Sequence, residues 1–336
     1  MKNFSKILIL LALIFAILTG CAQNQASTTS TDDTSSKKSA KDIVVRIGVQ
    51  GSGGLFGKAR EEQTFEKAFE QYGAKVEWVE FQSGPPMTEA IAANKLDFAG
   101  LGNMPVITAQ AANIPFTIIS QTLAGNKNVG IVVNYESTIQ SLQDLKGKKV
   151  AVGKGTNAYD FLLRALAKEN IAVEDIELIN LNSDEGQAAF DSKGVDAWAI
   201  WEPYLTINTL SQKGRIIADG ELIGLLSPSY NIVRTKFAEE HEELVVTYLK
   251  TLNELLAWES ANEKEAVERY AKERNLPVAL IEETRKRASQ INIPVKDEII
   301  QEHQKTADFQ YEIGTIRQKI DVTKVFDNRY IEKALQ

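Results

Sequence analysis

Residues 148–170 read "KKVAVGKGTNAYDFLLRALAKEN". The short apolar run at 148–153 predicts a buried strand, and the helical spacing of apolar residues over 156–170 predicts an amphipathic helix. A glycine-rich turn at 153–159 joins the two. A strand that passes through a turn into a helix is the repeating unit of a parallel α/β sheet.

The same alternation extends in both directions from this unit. Strands are predicted at 43–49, 75–81, 96–102, 116–121, 129–135, 176–181, 195–201 and 230–235. Helices are predicted at 57–72, 86–94, 104–113, 184–191 and from about 203. From 237 to about 306 the pattern is almost entirely helical, with breaks at Pro277 and Pro294. This order predicts two α/β lobes, with helices at the carboxyl-terminal end packed on the first lobe.

The stretch "VDAWAIWEPY" at 195–204 holds two of the four tryptophans. Because side chains alternate along a strand, Trp198 and Trp201 point to opposite faces. We expect Trp198 to fill the core. Trp201 ends the strand just before a helix that begins near Glu202 and Pro203, and ligands bind at that edge of open α/β sheets. The sequence therefore predicts that Trp201 forms a wall of a pocket.

Four predicted strands end in glycine-rich loops that lead into helices, at 50–57, 82–87, 102–105 and 153–159. The free backbone N–H groups at helix starts lie at the positive end of the helix dipole and can hold an anion. Ordinary capped turns would give similar sequences. The nucleotide motifs GxGxxG and GxxxxGK[ST] are both absent from the sequence, which argues against a nucleotide site.

The amino-terminal residues predict export. Residues 1–20 carry two lysines before an apolar run too short to span a bilayer, as a signal peptide does. Leu18 to Cys21 resembles a bacterial lipobox, which implies cleavage before Cys21 and attachment of acyl chains to it. Residues 21–41 lack large apolar side chains and predict a flexible tether. We expect a protein anchored by lipid to the bacterial membrane and facing the exterior or the periplasm.

Composition narrows the function further. The net charge of −7 argues against nucleic acid as a partner. His241 and His303 lie in polar helical stretches without metal-ligand spacing, so we expect them at the surface, with no metal and no cofactor. No GxSxG motif supports a serine hydrolase. An enzyme of the same fold and a surface lipoprotein without a transporter remain as alternative classes.

Four segments, "WVEFQSGPPMTEAI", "GNMPVITAQAA", "DLKGKKVAVGKGTNAYDFLLRAL" and "VDAWAIWEPY", resemble the aliphatic-sulfonate-binding proteins of bacterial ABC importers. That group also includes taurine-, nitrate- and thiamine-precursor-binding proteins. The resemblance implies a type II periplasmic-binding-protein fold, in which two α/β lobes joined by two crossovers enclose a ligand cleft. It implies a non-enzymatic monomer that delivers a sulfonate to a permease, and through it to an ATPase-driven importer, for sulfur uptake. Taurine, nitrate, a thiamine pyrimidine precursor or another small heterocycle are alternative ligands.

The resemblance also implies a domain division and a set of ligand contacts. Lobe one would comprise 42–131 and 231–336, and lobe two 132–230. The implied contacts are Gln50, Ser52, Gly53, Gln82, Ser83, Asn103, Met104, Gly155, Thr156, Asn157, Trp201, Glu202 and Tyr230. Two features depart from the pattern: sulfonate binders often carry aspartate at the position of Asn103, and the first loop, "GSGGLFGKARE", differs from theirs.

Overall fold

A computed structural model describes residues 43–51 and 53–336. The predicted signal peptide, Cys21, the tether and Ser52 lie outside the described residues. Within the described part, no helix is both long enough and apolar enough to cross a membrane.

Eleven strands form two sheets within the described residues. They are β1 Ile43–Gln50, β2 Ala74–Phe81, β3 Phe98–Gly102, β4 Phe116–Leu123, β5 Val129–Asn134, β6 Lys149–Val152, β7 Glu177–Asn180, β8 Ala197–Trp201, β9 Gly214–Asp219, β10 Ser229–Arg234 and β11 Gln290–Ile293. The first sheet has the order β11-β4-β10-β3-β1-β2, and the second has the order β7-β6-β8-β5-β9. β1 pairs in parallel with β2 and β3, and β6 pairs in parallel with β7 and β8. β10 and β5 run antiparallel to their neighbours.

Helices connect and cover these strands. They are α1 Gly54–Glu61, α2 Thr64–Glu70, α3 Gly84–Ala92, α4 Asn103–Ala111, α5 Asn157–Lys168, α6 Ser183–Asp191, α7 Tyr204–Leu210, α8 Gly220–Ile223, α9 Thr235–Glu240, α10 Glu242–Ala261, α11 Glu263–Arg274, α12 Val278–Arg287, α13 Asp297–Glu312 and α14 Arg329–Ala334. The chain leaves the first sheet after β4 and returns to it with β10. The two α/β lobes expected from the sequence are therefore present.

The sheet to which each strand belongs indicates where the chain crosses from one lobe to the other. The predicted boundaries, after residue 131 and after residue 230, fall inside β5 and β10. Because each of these strands belongs wholly to one sheet, the pairing favours crossings just before β5 and just before β10. The division into domains remains a prediction.

Besides β9, which was not expected, two local differences from the sequence expectation have physical causes. The helix predicted at 57–72 is split, because Gln63 takes a left-handed conformation with φ 54° between α1 and α2. The helical run after 237 is interrupted by β11, a short edge strand paired with β4. The two expected breaks are observed, since Pro277 immediately precedes α12 and Pro294 follows β11.

Buried side chains confirm one expectation and correct another. Trp198 is 0% exposed in the core of the second lobe, as predicted. His303 was expected at the surface, and that prediction is wrong. Its side chain is 1% exposed and packs edge to face against Tyr230 and Phe326. Burial, with a further contribution from Arg164, lowers the pKa of His303 to about 3.

Candidate ligand-binding cleft

A cleft of about 590 Å³ lies between the lobes, with residues of both sheets' loops in its walls. Of the contacts expected from the sequence, those that line it are Gln50, Gly53, Gln82, Thr156, Asn157, Trp201 and Glu202. Ser83 and Gly155 are half-buried beside it. Met104, Asn103 and Tyr230 are 0% exposed and lie outside the lining.

The starts of α3, α4 and α5 meet at one place in the cleft. A Cβ on Gly84, at the start of α3, would lie 2.6 Å from Cγ of Pro105 in α4. A Cβ on Gly102, just before α4, would lie 2.8 Å from Cβ of Asn157, the first residue of α5. Glycine at these two positions therefore permits the three helix starts to come together across the lobes.

The three helix starts keep different numbers of backbone donors, since Pro85 and Pro86 in the first turn of α3 and Pro105 in the first turn of α4 carry no N–H. Among the described residues, no side-chain hydrogen bond caps α3 or α4. At α5 the Thr156 hydroxyl accepts only the N–H of Tyr159, at 3.3 Å, and donates its own proton to the carbonyl of Gly153, at 2.7 Å. The donor expected from Thr156 is thus already used, and the backbone N–H groups of the first turn carry the positive end of the helix. We refer to the converging starts of α3, α4 and α5 as the cradle.

The start of α1, which the sequence offered as another anion position, is occupied by a group of the protein itself. The N–H of Gly54 donates to Oε2 of Glu273 in α11, at 2.9 Å. Arg269 donates to the other oxygen of that carboxylate, at 2.7 Å. The glycines at 53 and 57 lie against the same carboxylate, since a Cβ on either would come within 3.1 Å of Oε2. The first loop, which differs from that of the sulfonate binders, therefore binds the side chain of Glu273.

A second internal carboxylate occupies the start of α7. Oε2 of Glu202 accepts the N–H of Thr206, at 3.1 Å, and Oε1 accepts Nε of Arg287, at 2.5 Å. Arg287 also donates to Asp219, at 3.0 Å. Burial alone would lower the pKa of Arg287, but Asp219 and Glu202 outweigh it and raise the pKa. Burial raises the pKa of Glu202 more than Thr206 and Arg287 lower it, and both of its oxygens already accept donors of the same chain.

Asn103 and Tyr230 point away from the cleft. Nδ2 of Asn103 donates to Oδ2 of Asp160, at 2.9 Å, inside the junction of the lobes. Tyr230 packs between the rings of His303 and Phe326 in the core of the first lobe. The sequence could not show this, because the resemblance gives the position of a residue in a motif but not the direction of its side chain.

Apolar side chains form part of the cleft lining. Trp201 is half-buried there and meets Tyr204 edge to face, at 6.4 Å between ring centroids. Ile207 and Ile281 line the same cleft. An alkyl or ring substituent of a ligand would lose water-exposed surface against these side chains.

A third wall of the cleft, not expected from the sequence, is formed by α10, α11 and α12. Its lining residues are Glu259, Tyr270, Arg274, Ile281, Thr284, Arg285 and Ala288. α11 packs on α1 in the first lobe, and α12 packs on α7 in the second. The spacing of Ile281, Thr284, Arg285 and Ala288 is that of one helix face and was the available signal. Because the surrounding residues are mostly charged, the sequence of α10 to α12 predicted helices exposed to solvent.

The cleft has a polar contact between the lobes at its rim. Nε2 of Gln82, after β2, donates to Oδ2 of Asp184 in α6, at 3.0 Å. The hydroxyl of Tyr204 donates to the other oxygen of Asp184, at 3.4 Å. The side chains of Arg274 and Arg285 add positive charge to the lining.

Two α/β lobes, two crossings and a cleft lined by helix starts define a type II periplasmic-binding-protein fold. The family profile described as NMT1/THI5 like matches residues 67–266, and the chain belongs to this family. A Bacillus subtilis (strain 168) relative described as an aliphatic sulfonates-binding protein is 43% identical over 98% of this chain and 96% of its own length. An Escherichia coli (strain K12) relative with the same description is 33% identical over 83% of this chain and 86% of its own length.

The solved structures agree with this assignment. The alkanesulfonate-binding protein SsuA from Xanthomonas axonopodis pv. citri, bound to MOPS, superimposes with a TM-score of 0.78. It is 30% identical to this chain, and the match covers 86% of this chain and 99% of that one.

Proposed function

We propose that this protein is the extracytoplasmic solute-binding lipoprotein of an ABC importer. It binds an aliphatic sulfonate in the interlobe cleft and delivers it to a membrane permease for sulfur uptake. It acts as a binding protein and not as an enzyme. The observation that carries the proposal is the cradle, where three helix starts without a carboxylate partner converge.

The chemistry of a sulfonate fits the cradle. A sulfonate stays ionised at physiological pH and offers only hydrogen-bond acceptors, so backbone N–H groups can satisfy it without a group that holds a proton. The positive ends of α3, α4 and α5 would lie against its oxygens. Asn157 and Gln82 both line the cleft and carry side-chain amide N–H groups, although Nε2 of Gln82 also donates to Asp184 at the rim.

The remaining walls would hold the organic part of the ligand. Trp201, Ile207 and Ile281 supply apolar surface, and the cleft volume of about 590 Å³ leaves room for more than the anionic group alone. The solved relative bound to MOPS, a sulfonate with a ring at its far end, supports a ligand of this shape. Lobe closure over such a ligand would give a permease a surface to recognise.

A titration calorimetry experiment tests the ligand. Butanesulfonate should bind, pentanoate should bind more weakly, and uncharged butanesulfonamide should give no heat. Pentanoate has a similar tail but a flat carboxylate with one oxygen fewer, so the comparison isolates the anionic group. Equal binding of the sulfonamide and the sulfonate would remove the cradle as an anion site.

The lipid anchor has its own test. The lipobox-like sequence supports acylation of Cys21, and we expect the wild-type chain in the membrane fraction of cells. Cys21→Ser should release the protein into the soluble extracytoplasmic fraction with its sulfonate affinity unchanged, because Cys21 precedes the first residue of the cleft lining, Gly48, by 27 positions in the sequence. A variant that stays in the membrane would show that something other than Cys21 anchors the chain.

A further inference from the structure

A buried carboxylate lies directly behind the cradle. Asp160, in the first turn of α5, is 0% exposed. Its Oδ2 accepts Nδ2 of Asn103, at 2.9 Å, and Nε of Arg164, at 3.1 Å. Its Oδ1 accepts Nε2 of Gln310, at 2.7 Å. Both oxygens are therefore bound by donors, as a buried charge requires.

The partners of Asp160 come from different parts of the fold. Asn103 is the first residue of α4 and Gln310 lies on α13, both on the side of the first sheet. Arg164 follows Asp160 by one turn on α5, donates to Glu302 of α13, at 3.2 Å, and donates to the carbonyl of Leu226. Leu226 lies between α8 and β10, where the chain returns to the first sheet. The Asp160–Arg164 pair thus joins both lobes and a crossing segment.

Asn103 supplies the contact nearest to the cradle. It joins the first turn of α4 to the first turn of α5, close to the contact between Gly102 and Asn157. Its amide is suited to this position because it can donate to a charged carboxylate. A carboxylate at residue 103 would instead place a second negative charge against Asp160. Asn103, which the sequence suggested as a ligand contact, therefore binds another residue of the protein.

We propose that Asn103 is a positioning residue that fixes the starts of α4 and α5 relative to each other, so that the cradle is formed before a ligand arrives. A preformed site spends less binding free energy on ordering its donors. The ligand part of this inference rests on the proposed function. The positioning itself is a property of the ligand-free protein and can be measured separately.

Calorimetry with butanesulfonate on the purified protein measures the effect on binding. Asn103→Asp should weaken binding at least tenfold, and Asn103→Ala should weaken it by a similar factor.

Asn292→Ala is the matched control. Asn292 is a buried amide in the first lobe that donates to the carbonyl of Leu249, at 3.0 Å, and lies outside the cleft lining. Its loss should lower stability as much as Asn103→Ala does but leave affinity within about twofold. Equal affinity in Asn103→Ala and Asn292→Ala would overturn the proposal.

Amide hydrogen exchange without ligand tests positioning independently of the ligand. In Asn103→Ala, the amides whose backbone hydrogen bonds close the first turns of α4 and α5, such as that of Asp160 on the carbonyl of Thr156 at 3.2 Å, should exchange at least tenfold faster, and in Asn292→Ala they should not. Unchanged exchange would overturn the proposal. If the wild type failed to bind butanesulfonate, the proposed function would fail, and the exchange rates alone would decide the role of Asn103.

Discussion

Two sets of helix starts face the same cleft and differ in the groups that accept hydrogen bonds from their backbone N–H groups. At α1 and α7 the positive end of the helix is filled by a carboxylate of the chain, Glu273 and Glu202 respectively. At α3, α4 and α5 the described residues place no carboxylate on the N–H groups. The starts of α1, α3, α4 and α5 follow similar glycine-rich loops, whereas α7 follows Glu202 and Pro203. An anion site in this cleft therefore requires a helix start whose N–H groups no carboxylate of the protein already occupies.

The stability of the protein in acid limits the pH range in which binding at the helix starts can be compared. The largest effect that we expect is the loss of free energy of unfolding when the pH falls. The pKa of His303 is about 3 in the folded state because burial disfavours the imidazolium. An unfolded histidine titrates near pH 6.5. The stabilisation from neutral His303 is therefore complete above pH 6.5 and is lost as the pH falls from 6.5 towards 3, by about 1.4 kcal/mol per unit.

Urea unfolding at pH 7, 6, 5 and 4 checks this expectation. His303→Phe keeps a ring beside Tyr230 and Phe326 and should flatten the loss of stability between pH 6.5 and 4. A variant whose stability falls as steeply as that of the wild type would assign the acid sensitivity to other groups. Binding comparisons between variants are best made at pH 7.

The cradle can be broken sterically. Gly102→Ala adds a Cβ that would lie 2.8 Å from Cβ of Asn157, so α4 and α5 must separate. We expect sulfonate affinity to fall about 100-fold, close to 3 kcal/mol, because the N–H groups no longer converge. Gly100→Ala, on the same strand, is the control, since its added Cβ has only Oδ1 of Asn231 nearby, at 3.8 Å. Equal losses in the two variants would argue against a cradle at α4 and α5.

The local spacing of apolar residues was enough to predict most of the fold and part of the candidate site. The alternation of strand and helix periods gave the lobes, and the burial of Trp198 followed from strand alternation. The partners of the helix starts were not predictable, because they are distant in sequence. Glu273 is 219 residues from Gly54, and Asp160 is 57 residues from Asn103. Glu202 is the exception, since an acid four residues before Thr206 is a local capping signal.

The apolar wall should contribute less to the free energy of sulfonate binding than the cradle does. Trp201→Ala removes an indole from the cleft and should weaken binding of butanesulfonate by about 1–3 kcal/mol. Trp201→Phe retains ring surface and should recover about half of that loss in the same calorimetric titration. An affinity close to that of the wild type in Trp201→Ala would place the ligand tail elsewhere, with the third wall as the next region to test.

The smallest expected effect on affinity comes from an occupied helix start. Glu273→Gln removes the charge at the start of α1 but keeps an oxygen that can accept the N–H of Gly54. Because a charge near a helix start contributes roughly 0.3–1 kcal/mol, we expect stability to fall by about that amount. Sulfonate affinity should change less than threefold, because the anion is held at α3, α4 and α5.

The same experiment distinguishes the two sets of helix starts most directly. If Glu273 excludes the ligand from α1, its neutral variant should bind one sulfonate per chain, as the wild type does. Glu273→Ala empties the position, and a second, weaker site in the titration would then show that α1 can hold an anion once its carboxylate is gone. Tighter binding at a single site in both variants would mean that the ligand competes with Glu273, and that α1 belongs with the open starts.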